Sequence, residues 1–287
     1  MVSPDWCQGI SPHQLPQSTS QARPPHRRWQ AEVVATCAFL AWGLEGAADL
    51  LERESCALVV VIDVLSFSTT VSIAAARGIS VVPAPPGQAE SLSERLGMAL
   101  AAPRRAGLAD SPWSLSPSVM SEAPYTEAVV IASPNGAAIS AAAAAAGLPV
   151  VAGCLRNRAA VAAHLAQAEG EIALVAAGER YGSGGLRPAG EDLVGAGLLA
   201  VALARAGAQL DPEAALAARA ASLGPPELTE LLRRSRSACE LADRGFAEDV
   251  GLALAIDSDA VVPLLEGEPG FRPAASDPGR DGAAGRA

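Results

Sequence analysis

The sequence predicts an α/β fold, layered α/β/α around a largely parallel sheet. Three segments with one shared grammar carry that expectation. Leu58-Val-Val-Val-Ile62, Ala128-Val-Val-Ile-Ala132 and Ile172-Ala-Leu-Val-Ala176 are short, β-branched apolar runs with the length of buried strands. Each leads into a polar loop and then a helix-forming stretch, as in Ser133-Pro-Asn135-Gly136 followed by an alanine-rich run to Gly147. Parallel strand–loop–helix units bring their loops to one sheet edge, where α/β sheets bind ligands. The three strands are therefore expected side by side in one sheet. The repetition also allows two similar subdomains, at 29–150 and 151–266.

In chain order, residues 1–28 are rich in Pro, Gln and Ser without apolar periodicity, and disorder is expected. Glu32–Leu40 reads as a first strand and Trp42–Gly46 as a turn. Leu58–Ile62 follows, with Asp63 at its end and Ser68, Thr69 and Thr70 placed to cap a helix that exits at Gly78. Ile79–Ala84 reads as a second strand and Ala89–Leu96 as a short helix. The Pro- and Ser-rich stretch Ala102–Pro124 is long for a loop, with Trp113 as its anchor. Ala159–Ala168 is a helix. After Ile172–Ala176 comes the polar loop Gly178–Asp192, then a helix to Gly207. Helices over Pro212–Ser222 and Pro226–Leu241, a helix led by Gly245-Phe246, and a last strand at Ala260–Leu265 close the body, 29–266. Residues 267–287 read as a disordered tail.

Composition excludes several functions. A net charge of −10 argues against a nucleic-acid partner. No long apolar run is free of charge and breakers, so no membrane span is expected. The chain has no lysine, which rules out a Walker lysine, a pyridoxal Schiff base and a kinase-type lysine. The only histidine in the body is His164, so a Ser-His-Asp triad has little support. Five cysteines without CxxC spacing fit neither a zinc ribbon nor a disulfide framework, and a cytoplasmic setting is the default.

Asp63 sits where a strand ends and a helix begins. It suits a metal ligand, and it equally suits a carboxylate that caps the following helix. The three loops together hold carboxylates, an amide, hydroxyls and arginines, the inventory of a metal-plus-phosphate site.

The order of motifs resembles the 2-phosphosulfolactate phosphatases. They are Val-Ile-Asp63-Val-Leu through Ser68-Thr69-Thr70, Ser133-Pro-Asn135-Gly136, Asn157 in Leu-Arg-Asn-Arg, and Gly178-Glu179 through Glu191-Asp192 to Gly197. The closing Gly245-Phe246…Asp249…Asp257…Val262-Pro263 is also similar, and the resemblance covers roughly Val59–Leu265. It implies Mg²⁺-dependent hydrolysis of a small acidic phosphate monoester, 2-phosphosulfolactate or a related metabolite, in the route to coenzyme M. It implies Asp63 and Glu191 as catalytic residues and Asp63, Glu191 and Asp192 as metal ligands. Ser68, Thr69, Thr70, Asn135, Gly136 and Asn157 fall on its substrate-binding motifs. The chain departs from it at Ser66-Phe67, where many members carry an arginine. Arg156, Arg158, Arg180 and Arg187 are then the candidate phosphate-binding cations. The rival reading is a non-catalytic binding protein for a phosphorylated or sulfonated metabolite. A homo-oligomer is compatible with either.

Overall fold

The structure, a computed structural model, describes residues 36–53, 55–104 and 111–275. The first elements are β1 (Cys37–Trp42), α1 (Gly43–Leu51), β2 (Cys56–Ile62), α2 (Phe67–Ala76), β3 (Ser80–Ala84), α3 (Ala89–Leu96), β4 (Ala99–Leu100) and α4 (Pro117–Glu122). Next come β5 (Ala128–Ala132), α5 (Gly136–Ala145), β6 (Val150–Gly153), α6 (Arg158–Leu165), β7 (Glu171–Ala176), β8 (Glu179–Arg180), β9 (Leu186–Arg187) and α7 (Gly190–Arg205). The last are β10 (Gln209–Leu210), α8 (Pro212–Ala220), α9 (Pro225–Arg233), α10 (Arg236–Asp243), α11 (Ala247–Ala253), β11 (Pro263–Leu265) and β12 (Arg272–Pro273).

The main sheet has the order β10-β1-β7-β2-β6-β11-β12. Its first five strands are parallel, and β11 and β12 add antiparallel at one end. A second parallel sheet, β3-β5-β4, lies apart, and β8 and β9 form a small hairpin. Strand alternation sets the layers. On β2, Val60 and Ile62 enter a core shared with α6, α7 and α8, while Val59 and Val61 enter a second core with α2 and α5. That second core also takes Val81 of β3 and Val129 and Ile131 of β5, so α2 and α5 pack against strands of both sheets. The far face of the second sheet is covered by α3.

Several expectations need correction. β2 and β7 are neighbours as expected, but β5 is not in their sheet, because β6 occupies the other edge of β2. The proposed halves are interleaved: the main sheet takes β1 and β2 from 29–150 and β6, β7, β10 and β11 from 151–266. The turn at Trp42–Gly46 is the start of α1, with Gly43 at φ 65° redirecting the chain from strand to helix. Pro226–Leu241 is two helices, because Ser235 breaks the run and its Oγ accepts from Ala238 N at 3.3 Å to cap α10. Of the tail expected from 267, residues 267–275 are placed. Phe271 is fully buried and exchanges backbone hydrogen bonds with Val81, because one large apolar side chain outweighs the polar composition around it. Residues 1–28 and 276–287 lie outside the described residues. Among the described residues no helix is long and apolar enough to cross a membrane.

Candidate active site

Asp63 follows β2, and its carboxylate organises two turns at once. Its Oδ1 accepts from Phe67 N at 3.0 Å, at the start of α2. Its Oδ2 accepts from Gly136 N at 2.9 Å, at the start of α5. The loop after β5 thus reaches Asp63 from the other sheet. Only glycine fits there: a Cβ on Gly136 would lie 2.5 Å from Phe67 Cδ1 and 2.7 Å from Asp63 Oδ2. Burial pushes the Asp63 carboxyl above its ordinary range, against the opposing pull of those two amides and of Arg104, and Glu191 pushes it further.

The end of β7 lies beside Asp63, since Ile62 pairs with Ala176. Asp192, in the first turn of α7, ties the two strand ends together: Oδ1 accepts from Val64 N and Oδ2 from Gly178 N, both at 2.8 Å. Gly178 has φ 66°, and a Cβ there would meet Leu186 Cδ1 at 2.7 Å, so the backbone turn that offers this N–H depends on glycine. Glu191, next to Asp192, is 1% exposed, and its Oε2 has no hydrogen-bond partner among the described residues. An unpartnered buried carboxylate oxygen is costly unless a proton or cation meets it.

The β8–β9 hairpin projects from β7 and supplies one wall of a cleft of ≈ 290 Å³. Asp63, Ser66, Asn135, Glu179, Arg180 and Arg187 line it, with Arg104 on the opposite loop and Ser237, Glu240 and Arg244 from α10 and its exit. Four arginines and three carboxylates therefore face the cleft, reversing locally the sign of a chain with net charge −10. Depressions of ≈ 400 and ≈ 490 Å³ elsewhere are larger but have no arginine in their walls. Glu179 accepts weakly from Asn135 Nδ2 at 3.4 Å. Burial, then the neighbouring Asp63 and Glu191, push its carboxyl up to about 7. Burial and the same two acids hold the Asp192 carboxyl well above its ordinary range.

The unmatched Glu191 oxygen is a candidate contact for a cation. Asp63 and Glu191 both raise the proton affinity of Glu179, Glu191 raises that of Asp63, and Glu191 Oε2 is unmatched among the described residues. Among the described residues no three His, Cys, Asp or Glu side chains already converge as a full coordination set. A cation held here would complete its shell with water and substrate oxygens, as Mg²⁺ commonly does.

The structure sorts the residues singled out from sequence. Asp63, Asn135, Arg180 and Arg187 line the cleft, and Gly136 frames it through its N–H. Asp192 is a bracket, with both oxygens engaged by backbone amides. Ser68, Thr69 and Thr70 are fully buried, and their hydroxyls donate to Val61 O, Val64 O and Leu115 O, which anchors α2 and removes them from substrate contact. Asn157 is also buried: it accepts from Cys154 N and donates to Ala152 O, closing the turn after β6. Arg156 makes a two-pronged ion pair with Asp259, and Arg158 pairs with Asp257. Both arginines clamp the 252–259 segment and do not line the cleft.

Five polar cleft residues, Arg104, Glu179, Ser237, Glu240 and Arg244, are not among those singled out from sequence. Glu179 sits in the Gly178-Glu179 motif, so its signal was present. Ser237, 2% exposed with a hydroxyl unpartnered among the described residues, had none. Arg104 lies in the long Ala102–Pro124 loop, and its Nη2 donates to Ser66 Oγ at 2.6 Å. A cation thus stands beside Ser66, where the resemblance leads one to expect an arginine.

A family model described as 2-phosphosulpholactate phosphatase matches residues 47–268 of the chain. No curated protein matches it.

Proposed function

The chain belongs to the 2-phosphosulpholactate phosphatase family, whose members are phosphoric monoester hydrolases, and from that premise we propose a Mg²⁺-dependent phosphatase acting on a small acidic monoester, 2-phosphosulfolactate or a related metabolite. The observation that carries the metal and the chemistry is the buried acid group Asp63, Glu179 and Glu191, with its unmatched Glu191 oxygen, beside an arginine-lined cleft. Asp63 and Glu191 would hold the cation, with water and substrate oxygens completing its shell. Bound Mg²⁺ supplies Lewis-acid stabilisation of the phosphoryl charge.

The chain's own residues do the rest. Arg104, Arg180 and Arg187 bind and orient the phosphate dianion, and guanidinium forks suit that task. Asn135 Nδ2 is a further donor at the cleft wall. Asp63 fixes the two loop turns, so the N–H groups around it stay in place during reaction. Glu191 orients the attacking water. Glu179, with a carboxyl near 7, holds a proton at neutral pH and delivers it to the ester oxygen as the P–O bond breaks. Water adds to phosphorus, and the products are the free hydroxy acid and inorganic phosphate. Positioning and charge dominate such transfers, so the lack of a histidine base in the cleft is no obstacle.

The test is phosphate release from a panel of hydroxy-acid phosphates, 2-phosphosulfolactate included, with Mg²⁺ and with a chelator. Mg²⁺-dependent release is expected, strongest for esters with a second acidic group, and lost in Asp63→Asn. No release from any ester, with phosphate nonetheless bound, would replace this reading with a binding protein.

A further inference from the structure

We propose that Asp249 and Phe246, at the start of α11, are positioning residues that hold the Arg104 guanidinium as an anion-binding group of the cleft. The inference rests on the phosphatase reading for its chemistry and on three contacts for its geometry. Asp249 is fully buried. Its Oδ1 accepts from Ser116 Oγ at 2.7 Å, Ser118 N at 2.9 Å and Ser118 Oγ at 2.6 Å. That set fixes the carboxylate and leaves Oδ2 without a hydrogen bond among the described residues, facing Arg104 Nε at 3.6 Å. The Phe246 ring lies 5.5 Å from the guanidinium carbon, within cation–π range. Ser66 takes Nη2, and Nη1 makes no hydrogen bond among the described residues.

The guanidinium is therefore held on three sides while one nitrogen is left for a ligand. Burial works against its charge, and Asp249, then Asp63, are the groups that oppose that penalty. An arginine at the start of an otherwise long loop has many rotamers, and ordering it on binding would weaken the interaction. A carboxylate whose own orientation is locked by three donors removes that cost in advance. Asp249 also ties the start of α4 to α11 through Ser116 and Ser118, and its charged partner lies in the cleft wall.

The experiment uses the full chain and inorganic phosphate as the probe, with calorimetric affinity and steady-state kinetics measured together. Arg104→Ala is expected to weaken phosphate binding about 10- to 100-fold, the range for a charge-assisted hydrogen bond. Asp249→Asn keeps an oxygen for the two serines, and Phe246→Leu keeps apolar bulk. Each should weaken phosphate about 3- to 10-fold through Arg104 alone. The double variant Arg104→Ala/Asp249→Asn should then match Arg104→Ala. Added guanidinium ion should restore phosphate binding to Arg104→Ala and not to the double variant. Thermal melting reports folding, and if Asp249→Asn does not fold, Phe246→Leu carries the same test. The proposal is overturned if the folded variants at 246 and 249 bind phosphate like the parent, if single effects multiply in the double variant, or if the parent does not bind phosphate. A parent that binds phosphate through this bracket but hydrolyses no ester would sink the phosphatase reading and leave the bracket standing.

Discussion

Replacing Glu179 with glutamine should stabilise the protein, increasingly as pH rises from 4.5 to about 7 and fully above that. The Glu179 carboxyl is raised from the ordinary 4.5 to about 7, first by burial and then by the nearby acids Asp63 and Glu191. Between those values the folded chain binds a proton that the unfolded chain has released. Stability is then fully present below 4.5 and falls as pH rises toward 7. Each pH unit of that interval is worth ~1.4 kcal/mol, so ionising Glu179 in the folded state costs about 3 kcal/mol. Glutamine cannot ionise. At pH 8 Glu179→Gln should therefore melt higher than the parent by roughly 6–12 °C, and at pH 4.5 the two should nearly coincide. Thermal melts across pH 4–8.5 without divalent cation read this directly. A melting difference that is the same at every pH would refute the reasoning, as would a glutamine variant less stable at pH 8 than at pH 5 relative to the parent.

Gly136→Ala places a Cβ 2.7 Å from Asp63 Oδ2 and must displace the N–H that donates to it. Loss of that charge-assisted bond, about 1.5–3 kcal/mol, should appear as a fall of at least tenfold in kcat/KM, and parental kinetics would show the turn to be tolerant. Arg156→Ala should lower stability by about 3–5 kcal/mol, because it leaves the largely buried Asp259 unpaired, while KM stays at the parental value. A changed KM with an unchanged melting temperature would return Arg156 to the site. In Gly197→Ala the new methyl would lie 2.1 Å from Ala217 O, so α7 and α8 must separate. Denaturant unfolding should report a loss of about 1–3 kcal/mol, and no loss would mean the helices already have slack.

The strands that carry the site were legible because β-branched runs bounded by polar turns announce themselves. Which strand sits beside which was not: Ala128–Ala132 has the same pattern whether it joins the main sheet or a second one. Asp63 was legible from its place at a strand end: it accepts from the first amide of α2, as the capping reading expects, and it also faces the cleft. Glu191 and Asp192 are adjacent in sequence, and no pattern says which of two neighbours is taken by backbone amides. Arg156 and Arg158 looked like site residues because they flank Asn157 of the family motif, yet their partners Asp259 and Asp257 are distant in sequence and turn them into a clamp. Arg104 was invisible for the converse reason. It gains its place from Ser66 and Asp249, which only the folded chain brings near.

The strand order also bears on how the chain emerges from the ribosome. β1 pairs with β7 and β10, and β2 with β7 and β6, so the first two strands of the main sheet never pair with each other. Val59, Val60, Val61 and Ile62 are fully buried in the finished molecule. During synthesis they wait for Ala176, the end of β7, to follow Ile62, roughly 6–23 s at ordinary elongation rates. Until β6 is made the nascent chain carries a valine-rich strand with both edges open, a template for any other strand it meets, and until β7 one edge stays open. The early half therefore depends on the late half for its solubility, and fragments ending before β6 should be the species that aggregate or recruit chaperones.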